Sequence, residues 1–332
     1  MTETLLSVRS LKCRYMTGQG SICAVDGIDL DVDAGEVVGI VGESGSGKST
    51  LALALLGLLD RPGCAVDGLI SFKGHDLRTL REDYWCRVRG RQIGMIFQSP
   101  EASFSPVATI GRQMTEVLQV HRGMSKATAM AAAEQTLAKV GMPRPAEIMQ
   151  NYPFELSGGM CQRAALALAI SLQPALLLAD EPTASLDLLA QAQITQILIN
   201  MRRQYRLAMI VISHDLGLVS RVADRIAIMY AGRIVELGPT THVLQLPRHP
   251  YTQALLASIP RLEARSRAIP ALPGYAPDMT VPTAGCTFLP RCGHAGERCG
   301  SEQPPLAAGE DGQAAACWMQ GQARPDLLRS HK

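Results

Sequence analysis

From Leu5 to Leu30 apolar and polar residues alternate on either side of a Gly18–Gly20 turn, the period-two pattern of an antiparallel β start. The pattern then changes. Val37–Val41 is an unbroken apolar run, as a strand buried on both faces requires. A glycine-rich loop follows, and Ser49–Leu59, rich in Leu and Ala, predicts a helix. Ile93–Phe97 predicts another buried strand. Between about residues 100 and 172 Ala, Met, Gln and Lys dominate, with helical periodicity from Lys126 to Val140, which predicts an inserted helical subdomain. Short apolar strands return at Leu176–Ala179 and Met209–Ile212, with a helical stretch over 188–204 between them. Ile226–Tyr230 and Arg233–Leu237 flank Ala231 and Gly232 as a closing hairpin. Strands alternating with helices predict a parallel α/β sheet. After Gly238 nine prolines between residues 239 and 290 mark a loop-rich extension with little regular structure.

Composition narrows the function. With 332 residues the chain has room for a full nucleotide-binding domain and an appendage. Lys and Arg number 32 against 30 Asp and Glu, so the balance of +2 gives no basic stripe for nucleic acid and no polybasic membrane tether. Aromatic residues at 4% exclude broad stacking platforms. Leu51–Leu59 and Ala164–Leu172, the longest apolar stretches, reach half the roughly 20 residues of a membrane span. The N-terminus has an acidic residue at Glu3 and no long apolar segment, so no secretory signal is expected.

The chemistry starts at Gly42-Glu43-Ser44-Gly45-Ser46-Gly47-Lys48-Ser49, followed by Thr50, a full G-x-x-x-x-G-K-[ST] match lying after a strand and before a helix. Glycines let backbone N–H groups curl around phosphate oxygens, and the helix N-terminus adds positive potential. Lys48 can reach the β- and γ-phosphates, and Ser49 can ligate Mg²⁺. The strand ending in Asp180 would deliver a carboxylate to the same Mg²⁺, and Glu181 one residue later would polarise the attacking water. Alone, an apolar run ending in Asp-Glu is an ordinary strand end; downstream of a phosphate loop it is a catalytic pair.

Leu156-Ser157-Gly158-Gly159-Met160-Cys161-Gln162-Arg163 resembles the signature sequence of ATP-binding-cassette (ABC) ATPases, which have a phosphate-loop (P-loop, RecA-like) α/β core. The resemblance implies further landmarks. Gln98 matches the Q-loop glutamine at Mg²⁺ or the attacking water, and Ala184-Ser185-Leu186-Asp187 resembles the D-loop. His214 matches the switch histidine at the γ-phosphate, and Tyr15 is the candidate adenine-stacking aromatic. It also implies that Ser157, Gly158, Gly159 and Gln162 face the ATP of a second cassette, so that two cassettes sandwich two nucleotides.

Two further stretches, Gln98–Gly111 and Arg248–Leu256, resemble the peptide/nickel importer branch of that family, as does the cysteine motif Cys286, Cys292, Cys299 and Cys317. The chain therefore divides into an expected ABC domain over residues 1–240 and an extension over 241–332. The four cysteines are separated by 5, 6 and 17 residues. The family implies a [4Fe–4S] cluster there; the spacing leaves Zn²⁺ open, with disulfides or free thiols as further readings. The resemblance implies an ATP-hydrolysing subunit at the cytoplasmic face of the inner membrane. Its expected partners are a second related ATPase, two permeases and an extracytoplasmic substrate-binding protein. Di- or oligopeptides are the expected cargo, with nickel or a metal chelate as the alternative. A soluble ABC ATPase outside transport is a more distant reading; the single cassette, the lack of a heptad run and the neutral charge balance speak against it.

Overall fold

The computed structural model describes residues 3–18, 20–59, 63–259, 272, 274–281 and 283–319. Pro260, Pro270, Pro273 and Pro282 of the proline-rich stretch lie outside these residues. β1 (Thr4–Thr17) and β2 (Gly20–Asp33) pair antiparallel, with Leu6 opposite Val32 and Val8 opposite Leu30. These four side chains are buried, as the alternation requires. The chain then enters a second sheet with β3 (Val37–Val41), all of it buried, before β4 (Cys64–Phe72) and β5 (His75–Asp76) complete the first sheet in the order β2–β1–β4–β5.

The second sheet adds β6 (Ile93–Ile96), β7 (Leu176–Asp180), β8 (Ala208–Ser213), β9 (Arg225–Tyr230) and β10 (Arg233–Pro239). β11 (Ala307–Ala308) and β12 (Ala314–Ala315) end it, giving the order β11–β12–β10–β9–β3–β8–β7–β6. Strands β9, β3, β8, β7 and β6 run parallel, with β3 held between β9 and β8. The predicted strands therefore fall within three residues of the observed ones, while β4, β5, β11 and β12 were not predicted.

Helix α1 (Lys48–Leu55) follows β3, and α2 (Glu82–Val88) lies between the two sheets' strands in sequence. The predicted helix ran to Leu59 but stops at Leu55. Gly57 takes a left-handed φ of 60°, and a Cβ there would stand 2.5 Å from the Trp85 ring. Between β6 and β7 come α3 (Ile110–Arg122), α4 (Lys126–Lys139), α5 (Pro145–Ile148) and α6 (Gly158–Ile170), the inserted helical region that the sequence predicts. Thr109 and Ser125 cap α3 and α4, each accepting a backbone N–H from three residues on. α7 (Leu188–Tyr205) and α8 (Leu216–Val222) flank β8.

The stretch after Gly238 departs from the expectation of little regular structure. It holds α9 (Thr240–Gln245) and α10 (Pro250–Ala257), and its β12 pairs with Glu236 and Leu237 of β10. Pro250 sits at the first turn of α10, where the missing N–H costs nothing. This stretch also shares a core with the sheet: Val41, Ile228 and Tyr230 pack with Val243, Tyr251 and Phe288.

Candidate active site

The phosphate loop joins the end of β3 to α1. Gly47 is its tightest point, with φ 97° and a would-be Cβ only 2.0 Å from the Ala24 carbonyl oxygen. Lys48 lies across the loop and donates from Nζ to the carbonyls of Gly42 and Glu43, both at 2.8 Å, and to Ser46 Oγ at 3.4 Å. Burial pulls its pKa down, opposed by Glu181, Asp180 and Glu43, so acids surround the ammonium. Ser44 and Gly45 of the loop and Ser49, the second residue of α1, are exposed. Tyr15, half-buried at the end of β1, reaches α1 through its hydroxyl, 3.3 Å from Thr50 Oγ1.

Asp180 ends β7 beside this loop. Burial raises its pKa, with the Ser49 hydroxyl and Lys48 acting the other way. Its Oδ1 is buried with no hydrogen-bond partner. An unpartnered carboxylate oxygen next to a serine hydroxyl suits a hard cation such as Mg²⁺, so the donor set fits the expected ion.

Glu181 follows in a left-handed conformation, φ 49°, secured by its own N–H donating to the Ile212 carbonyl at 2.9 Å. The N–H of His214 donates to Oε1 at 3.1 Å, and His214 Nδ1 stands 3.0 and 2.9 Å from the two carboxylate oxygens. Because the carboxylate accepts, Nδ1 carries the hydrogen. Ser213 Oγ adds a longer contact of 3.4 Å. The Glu181 side chain is 11% exposed and that of His214 is 70% exposed, so the acid is sheltered and the imidazole reaches outward.

Gln98 lies two residues past β6, exposed. Ser157 caps α6, its Oγ accepting the Met160 N–H at 3.4 Å, and it stands exposed together with Gly158, while Gly159 is half-buried. Among the described residues no hydrogen bond or ion pair joins these three to the phosphate loop of the same chain. Gln162, one turn after Gly158 on α6, is 3% exposed and so lies deeper than Ser157 and Gly158. Asp187 caps α7 by accepting the Ala190 N–H at 2.8 Å, a structural task the sequence reading did not give it.

The four cysteines are free thiols. Among the described residues no three or more His, Cys, Asp or Glu converge as ligands of a metal ion, so the metal centre expected there is not formed as a converged ligand set. The thiols nevertheless share one neighbourhood. Burial raises the pKa of Cys286, Cys292 and Cys317, and each is raised further by at least one other cysteine of the four. The sulfurs of Cys292 and Cys317 accept N–H groups from His294 and Met319, each two residues on, and a backbone N–H of Phe288 serves Cys286.

Sequence reasoning missed what this extension does to the phosphate loop. Arg291, on the single turn Leu289–Arg291 between Cys286 and Cys292, donates from both terminal nitrogens to Glu43, at 2.8 and 3.0 Å. The Glu43 N–H donates to Tyr251 Oη at 3.0 Å. Behind them Glu236, fully buried, accepts the N–H groups of Arg248 and His249 at 2.8 and 2.9 Å, and the Gln313 amide at 2.6 Å. The only signal was the Arg248–Leu256 and Cys286–Cys292 runs themselves, which mark a branch without showing a contact.

Five parallel strands with a phosphate loop after β3, and an Asp–Glu pair at the end of β7 two strands away, define a P-loop nucleoside-triphosphatase of the cassette type. The ABC transporter family model matches residues 25–184, and that for the oligopeptide/dipeptide transporter C-terminal region matches residues 235–299. The oligopeptide transport ATP-binding protein AppD of Bacillus subtilis (strain 168) is 41% identical over 96% of this chain and 97% of its own length. The dipeptide transport ATP-binding protein DppD of Escherichia coli (strain K12) is 42% identical over 94% and 96%. Among solved structures, a dimeric post-hydrolysis state of the ATP-binding cassette MJ0796 bound to ADP and Pi superposes with a TM-score of 0.64, at 28% identity over 71% of this chain and 98% of that one. The chain belongs to the ABC transporter family and carries the C-terminal region of its oligopeptide/dipeptide branch.

Proposed function

We propose that this chain hydrolyses ATP to drive the import of di- or oligopeptides, as the ATP-binding subunit of a membrane transporter. The observation that carries the hydrolytic half is the convergence of Lys48, Asp180, Glu181 and His214 at one edge of the sheet. The peptide half rests on the relatives, which are named for oligopeptide and dipeptide transport, and on the C-terminal region they share with this chain.

The loop's N–H groups and Lys48 grip the phosphates, and binding replaces the carbonyl partners that Lys48 Nζ now has with phosphate oxygens. Tyr15 stacks against the adenine. Ser49, Gln98 and Asp180 would hold Mg²⁺, which when bound neutralises charge developing on the β- and γ-oxygens. Glu181 orients a water for in-line attack on the γ-phosphorus and accepts its proton as the bond to ADP breaks. His214 fixes that carboxylate through Nδ1–H and leaves Nε2 free to meet the γ-phosphate. Ser157, Gly158 and Gly159 close over the nucleotide of a second cassette, and Asp187 stands at the same junction.

The ABC domain spans residues 1–240 and the extension residues 241–332, with the extension serving the same site rather than a second reaction. Cys286, Cys292, Cys299 and Cys317 hold a [4Fe–4S] cluster: four thiols in one neighbourhood, three accepting backbone N–H groups, suit soft-metal thiolates. A second related ATPase, two permeases and an extracytoplasmic binding protein complete the transporter. This chain docks at the cytoplasmic face of the inner membrane; among the described residues no helix is long and apolar enough to cross it.

The test is uptake of a labelled dipeptide and phosphate release in the reconstituted transporter. Glu181→Gln should lower phosphate release about 10²–10⁴-fold with ATP still bound. Lys48→Ala should remove binding as well. Full turnover in both variants, or peptide uptake independent of ATP, would overturn the proposal.

A further inference from the structure

The loop that receives the phosphates carries a carboxylate of its own. Glu43 follows Gly42 directly, its side chain is 29% exposed, and acids at 180 and 181 already crowd the same edge. A triphosphate with several negative charges meets an unfavourable field there unless Glu43 is neutralised. Only one cation forms an ion pair with it among the described residues, and it comes from 248 positions away. The Arg291 side chain is 4% exposed and makes the two-pronged pair, while its guanidinium lies over the Tyr230 ring, 5.7 Å from the centroid. Tyr230 and Tyr251 pack on each other, and Tyr251 Oη receives the Glu43 backbone N–H. Side chain and backbone of one loop residue are thus both held by the C-terminal extension.

We propose that Arg291 and Tyr251 are positioning residues for the phosphate loop: the cysteine-bearing extension neutralises and orients Glu43, and in this way sets the affinity of the site for ATP. The inference rests on the ATPase reading above. Arg291 occupies the turn bracketed by Cys286 and Cys292, so whatever fixes those two thiols also fixes the guanidinium. The extension is then a part of the nucleotide site by contact, not a tail beside it.

The test is binding of a fluorescent ATP analogue with Mg²⁺ by the full chain, together with KM and kcat for ATP. Arg291→Met should raise Kd and KM on the order of tenfold, equivalent to about 1.4 kcal/mol, with kcat within about twofold of the parent. Adding Glu43→Gln to Arg291→Met should restore most of that affinity, because the uncompensated charge is gone. A merely structural role for Arg291 would not be rescued by removing a carboxylate from the loop. Tyr251→Phe keeps the packing and removes only the acceptor, so it should weaken binding about threefold while lowering the thermal midpoint by only a few degrees, and it serves if Arg291→Met fails to fold. Unchanged affinity in the folded variants, or loss without recovery in the double variant, would overturn this inference. Absence of binding in the parent chain would instead sink the ATPase reading itself.

Discussion

Glu181 sits in a backbone conformation that few non-glycine residues adopt, at φ 49°, and three groups of the next strand end keep it there. Such a conformation costs on the order of 1 kcal/mol and persists where surroundings over-determine it. His249 shows the opposite economy: it is buried, uncharged, and accepts the Tyr251 N–H at 3.0 Å through Nδ1. Burial holds its pKa down at about 3, below the ordinary 6.5. The unfolded chain therefore takes up a proton below pH 6.5 that the folded chain refuses until about pH 3. The stability tied to His249 is complete above pH 6.5 and drains away through that window, by up to about 1.4 kcal/mol per pH unit. Glu236 next to it has the reverse sign, because burial raises its pKa and its contribution shrinks as pH rises through the carboxylate range. Urea midpoints measured from pH 7 to pH 4 should fall for the parent, and fall less steeply for His249→Asn, which keeps an acceptor but does not titrate.

Among the elements, α6 joins stability to assembly. Ser157 is the helix cap and, in the proposed dimer, a contact to the other cassette's ATP. Ser157→Ala should cost about 1 kcal/mol in a denaturant titration and also lower turnover. Thr109→Ala, which removes the cap of α3, should cost a similar amount and leave turnover per folded molecule unchanged. Most elements were legible because their apolar runs are buried on both faces, as in β3, β7 and β8. Boundaries failed where a distant side chain decides them, as the Trp85 ring does beyond Leu55. The nucleotide residues could be read because their motif is local. The Glu43–Arg291 pair could not, since nothing near either residue in sequence announces the other. Prolines misled as well: read as loop punctuation, one of them opens α10.

At the scale of the whole molecule, among the described residues no hydrogen bond or ion pair joins the exposed Ser157 and Gly158 to the phosphate loop of the same chain, an arrangement that suits the proposed pairing with a second cassette. Sedimentation of the Glu181→Gln variant should shift from monomer to dimer on adding ATP and Mg²⁺, and Lys48→Ala should stay monomeric. A companion ATPase of different sequence would restrict that shift to the mixed pair.

The little ribbon of Ala314 and Ala315 has a further consequence. It caps β10, whose outward N–H and C=O groups at Glu236 and Leu237 would otherwise face solvent. A bare rim of that kind is a template for stray chains to zip onto. Clipping the protein ahead of Ala314 should therefore bare that rim and raise the tendency to aggregate, whatever became of its chemistry.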